Sequence, residues 1–88
     1  MADIVEVEVC PIGDGLSMLM ANEISFDLAT VFARLCRELF PESRKAVVST
    51  DKQKPGIVSV SCVLKDPDPN KLNSLRVRFE QAQNESST

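Results

Sequence analysis

Three thiols and two carboxylates are the side chains best suited to chemistry in this chain. Cys10, Cys36 and Cys62 recur at equal intervals, but no Cys-x-x-Cys pairs them, and a reactive thiol needs a cation or a helix N-terminus to lower its pKa. All three sit in apolar patterns and are expected as reduced, packed cysteines. The exception is Cys10, which ends a strand on the side of the glutamates. A redox or metal role requires the fold to bring the thiols together, and the equal spacing carries no internal repeat. Glu6 and Glu8 stand two apart in an alternating segment, which places them about 7 Å apart on one strand face, too far for one tightly held cation without further ligands. They are expected on a solvated face.

The absence of histidine excludes imidazole chemistry, including Ser-His-Asp and Cys-His hydrolysis and the common zinc triads. Gly13-Asp14-Gly15 has the look of a phosphate-binding turn. It lacks the third glycine of a dinucleotide fingerprint and the Gly-Lys-Ser/Thr of a P-loop, and Asp14 repels phosphate, so an ordinary strand-to-helix turn is expected. Neither a cofactor nor a metal site is expected.

Charge is unevenly distributed along the 88 residues, whose net charge is −3. Up to Glu42 the only bases are Arg34 and Arg37, set against eight carboxylates; beyond it Arg44, Lys45, Lys52, Lys54, Lys65, Lys71, Arg76 and Arg78 outnumber the acids. The basic half keeps nucleic-acid binding open. It is disfavoured because the only aromatic side chains are phenylalanines, of which Phe32 and Phe79 fall on core stripes. No apolar run approaches the roughly 20 residues of a membrane span, and the acidic start Met1-Ala2-Asp3 has no basic n-region. A cytoplasmic protein is expected.

The elements that must position these groups follow from periodicity. Residues 4 to 10 alternate with Val5, Val7 and Val9 inward, which predicts a first strand. Residues 11 to 15 read as a turn. From Leu16 to Phe40 the residues Leu16, Met20, Ile24, Leu28, Val31, Leu35 and Leu39 keep a helical stripe, whose secure part starts near Ser25 and ends before Pro41; the structure of 16 to 23 stays open. Residues 45–50 and 56–64 predict a hairpin, its second strand turning Val58, Val60, Cys62 and Leu64 inward and Ser59 and Ser61 outward. Residues 72–80 fit either period, and helix is favoured by Asp68 as cap with Pro69 in the first turn. Residues 1–82 then make one domain and 83–88 a disordered polar tail.

This order predicts a two-layer α+β sandwich of βαββα order, with a three-stranded sheet in spatial order 1-3-2, both helices on one face and the other face polar. It resembles half of a ferredoxin-like unit lacking its last strand, a likeness of architecture that implies no function. The absent strand would lie beside strand 1, so an unpaired edge is expected there. Ile4, Glu6 and Glu8 on that edge, with Lys52 and Lys54 on the hairpin turn, are the expected partner-binding residues, through a homo-oligomer or a protein partner. The resulting expectation is a small non-enzymatic interaction or regulatory module acting through its sheet edge or open face. The alternatives are a small-molecule or catalytic site between subunits near Gly13–Gly15, and nucleic-acid binding through the basic half.

Overall fold

The computed structural model describes residues 4–50 and 52–86. Its elements are β1 (Glu8–Gly13), β2 (Leu16–Ser25), α1 (Phe26–Leu39), β3 (Val47–Thr50), β4 (Ile57–Lys65) and α2 (Pro69–Ser86). The strands form one four-stranded antiparallel sheet in the order β1-β2-β4-β3. The α+β class is as expected. The three-stranded βαββα arrangement is not, because the chain opens with an additional hairpin.

That hairpin turns on Asp14-Gly15, with Gly13 paired to Leu16. Both loop residues have positive φ, 56° and 76°, as a two-residue turn between twisted strands requires, and Asp-Gly is among the best sequences for it. The turn therefore leads into a strand, not a helix. Leu16, Met20 and Ile24 misled because a spacing of four is even, and so fits one face of a strand as well as one face of a helix. A bulge between Ala21 and Ile24, with Glu23 at φ 56°, adds one residue to β2. It turns Ile24 inward beside Val58, where it is 2% exposed.

The first strand begins four residues later than its alternation suggests, and residues 4–7 hold no strand pairing. They lie against α2 instead: the Val5 amide donates to Gln83 Oε1 at 2.8 Å, and Gln83 Nε2 donates to the Val5 carbonyl at 2.9 Å. Gln83, expected in a polar tail, is thus a buried residue of α2, which continues through Ser86. The two bonds satisfy an amide that no strand neighbour pairs.

Elsewhere the local signals operate as read. Ser25 caps α1, its hydroxyl accepting from the Leu28 amide at 3.2 Å, and Asp27 adds a negative charge to the first turn. Asp68 accepts from the Asn70 amide at 2.8 Å in front of Pro69 and so starts α2. Val58, Val60, Cys62 and Leu64 are all buried. They meet Phe32, Leu35 and Cys36 of α1 and Leu75 and Phe79 of α2 in one core, where the rings of Phe32 and Phe79 stand edge to face, 5.4 Å apart.

In the sheet, β2 and β3 flank β4, so the hairpin's second strand lies in the middle as expected, but the strand that begins this unit is Leu16–Ser25. β1 pairs with β2 at the place where a ferredoxin-like unit carries its last strand. The expected gap is closed by the chain's own N-terminal hairpin.

Candidate functional site

The sheet has two outer edges of unlike character. On β1 the register breaks between Pro11 and Gly13, leaving Ile12 as an extra residue, and Pro11 has no amide to offer. A proline, a bulge and the carboxylate of Glu8 are three devices that discourage another strand from pairing. The preceding segment is tied to α2 by Gln83. On the opposite side β3 reads Val47-Val48-Ser49-Thr50, with no charge, proline or bulge, and all four residues exposed. Val47 is 60% exposed. Among the described residues β3 pairs only with β4, so its other side presents backbone groups without a strand neighbour there.

The flanks of β3 are cationic. From Ser43 to Lys54 the sequence holds Arg44, Lys45, Lys52 and Lys54 against Asp51 alone. The Arg44 amide donates to the Val63 carbonyl at 3.0 Å, which fixes the chain to β4 before β3 begins. Lys54 bonds Glu23 on the β2 bulge at 2.8 Å, an exposed ion pair worth little stability.

The expected site residues fall into two groups. Ile4 and Glu6 lie in the segment beside α2, where with Val5, Val7, Arg76, Phe79 and Glu80 they line a groove of about 450 Å³. Glu8 opens β1 and accepts from Asn22 Nδ2 at 2.7 Å. Lys52 and Lys54 lie on the turn between β3 and β4. The strand register sets the start of β1 level with Val47, at the other end of β3 from this turn, and on the opposite edge of the sheet. Glu6 and Glu8 do not form a pair on one strand, because β1 starts only at Glu8.

The face of the sheet away from the helices is less polar than expected. The register places Cys10, Met18 and Val63 in one row across it and Glu8, Met20, Ser61 and Val47 in the next. Ser59 and Ser61 lie on it as read, but the methionines of β2 join them.

Around Gly13–Gly15 the geometry is that of a hairpin tip. The Asp66 amide donates to the Gly15 carbonyl at 2.9 Å, and a Cβ on Gly15 would stand 3.1 Å from Asp66 Oδ1. Carboxylates therefore crowd the turn, and no helix N-terminus follows it.

The cysteines separate. Cys10 is exposed, whereas Cys36 and Cys62 are buried with their sulfurs 3.1 Å apart, Cys62 donating to Cys36. The pair shares its protons unequally. Once one is lost, the remaining S–H on Cys36 donates to the Cys62 thiolate; that bond, then burial and the neighbouring charge, push the Cys36 thiol far up. The same bond brings Cys62 down against the effect of burial. Among the described residues no group of three or more His, Cys, Asp or Glu side chains is arranged to hold a metal, and no helix is long and apolar enough to cross a membrane.

No protein-family model, no curated protein and no solved structure matches this chain.

Proposed function

We propose that this protein is a small non-enzymatic interaction module that receives an extended, acid-flanked segment of another protein along the free edge of β3. One observation carries the proposal: Val47–Thr50 is an exposed, uncharged edge strand without bulge or proline, bounded by Lys45 on one side and Lys52 on the other. An added strand supplies main-chain hydrogen bonds, and acids at its ends meet the lysines. A second copy fits less well, since antiparallel pairing of β3 with itself sets Lys45 of each chain beside Lys52 of the other. Oligomerisation through β1 meets the proline and the bulge. The free thiols suit a reducing, cytoplasmic setting.

The test uses two fluorescent peptides of alternating valine and threonine, one capped at both ends by glutamates and one by lysines. The glutamate-capped peptide is expected to raise the anisotropy with an affinity that falls as salt is added, and the lysine-capped peptide to bind at least tenfold more weakly, an expectation of order of magnitude for reversed charge. Equal binding of both, or binding of neither, overturns the proposal. Sedimentation of the protein alone is expected to show a monomer.

A further inference from the structure

We propose that Cys36 and Cys62 form a dithiol redox site that reacts with a small, negatively charged disulfide entering through the cavity at the C-terminal end of α1. This inference stands apart from the β3 edge.

The sulfurs meet across the core at 3.1 Å, one on α1 and one on β4, each residue 2% exposed. Closing a bond of ~2.0 Å from that contact asks for about 1 Å of approach between two elements that already pack together. Packing alone does not require two thiols to touch, since a buried cysteine behaves as a small apolar side chain beside any neighbour. The second observation is access. Cys36, but not Cys62, lines a cavity of about 330 Å³ whose wall also includes Phe40, Arg37, Arg44 and Lys45 and, among the described residues, no carboxylate. Arg37 lies in the last turn of α1 and by itself complements the negative helix end. Arg44 and Lys45 come from the segment after the helix and add positive charge beyond that need.

The geometry sets the order of events. Cys36, the member of the pair at the cavity wall, attacks one sulfur of the entering disulfide as its proton passes to the Cys62 thiolate across the 3.1 Å contact, giving a mixed disulfide on Cys36 and releasing one small thiolate. The Cys62 thiolate then attacks Cys36 Sγ and releases the second. The protons of the two cysteines leave with the two small thiols, so the dithiol is oxidised by two electrons and the external disulfide is reduced by two. Cys62 suits the second step because its sulfur already lies 3.1 Å from Cys36 Sγ. The product links α1 to β4.

The test uses a Cys10→Ser background, which removes the exposed thiol, and compares oxidised glutathione with the uncharged hydroxyethyl disulfide on the folded protein. Peptide mapping is expected to show a Cys36–Cys62 bond and intact mass to show the loss of two hydrogens. Arg44→Glu is expected to slow oxidised glutathione about tenfold and leave hydroxyethyl disulfide unchanged, and Cys62→Ser to stop the reaction at a mixed disulfide on Cys36. The proposal is overturned if the pair reacts only at the rate of global unfolding, as followed through added urea, or if Arg44→Glu slows both reagents equally. It is equally overturned if neither thiol reacts. Arg44 is exposed, so that variant keeps the test decisive should Cys62→Ser fail to fold.

Discussion

The edge at β1 and the edge at β3 belong to one sheet and solve opposite problems. β1 closes its side: a bulge interrupts the register, Pro11 removes a donor, and the residues before it are bonded to Gln83 and not to a neighbouring strand. β3 carries none of these devices and relies on shortness and on the lysines around it. Short length and nearby lysines blunt chance aggregation while still admitting a strand whose charges match. Edge position alone therefore does not distinguish the two sides; the backbone left free by composition does.

The contrast can be broken at several levels. Phe79→Ala removes the ring that stands against Phe32 and opens the core on which the sheet and both helices meet. A loss of about 3–5 kcal/mol is expected in urea denaturation, with amide protection falling in both edges together. Gln83→Ala leaves the Val5 amide and carbonyl without their side-chain partner, at a cost of about 1–3 kcal/mol. Hydrogen exchange should accelerate at residues 5–7 while β3 stays as in the parent, which would show that the strap belongs to β1 alone. Ser49→Glu puts a carboxylate in the middle of β3, where Ser49 pairs with Ser59 and is exposed. Thermal unfolding should move by less than about 0.5 kcal/mol, while anisotropy should show about tenfold weaker binding of the glutamate-capped peptide. The smallest effect belongs to Lys54→Ala: breaking its pair with Glu23 should cost about 0.2–1 kcal/mol in denaturation, and less in high salt.

Much of the framework was legible because local chemistry decided it. Ser25 and Asp68-Pro69 carry their capping groups in the sequence, and the strict alternation from Val58 to Leu64 admits one inward face. β2 was not legible from hydrophobic spacing, since its apolar residues on both faces and its bulge imitate a helical stripe; the Asp-Gly turn in front of it was the signal that distinguishes a hairpin. Gln83 looked like tail because its role lies in two bonds to a backbone 78 residues away. The meeting of Cys36 and Cys62 depends on how α1 lies over β4, which no spacing reveals. The spatial order 1-3-2 already set the strand now called β3 at an edge, but the glutamates near the N-terminus drew attention to the other side.

The most direct test is titration of isotope-labelled protein with the glutamate-capped peptide, followed by amide chemical shifts and intermolecular contacts between backbone protons. The account predicts changes concentrated on Val47–Thr50 and on Lys45 and Lys52, with strand-to-strand contacts to the peptide and weakening in high salt. Changes confined to β1, the groove beside α2 or the face carrying Met18 and Met20 would contradict it, as would unchanged spectra at millimolar peptide.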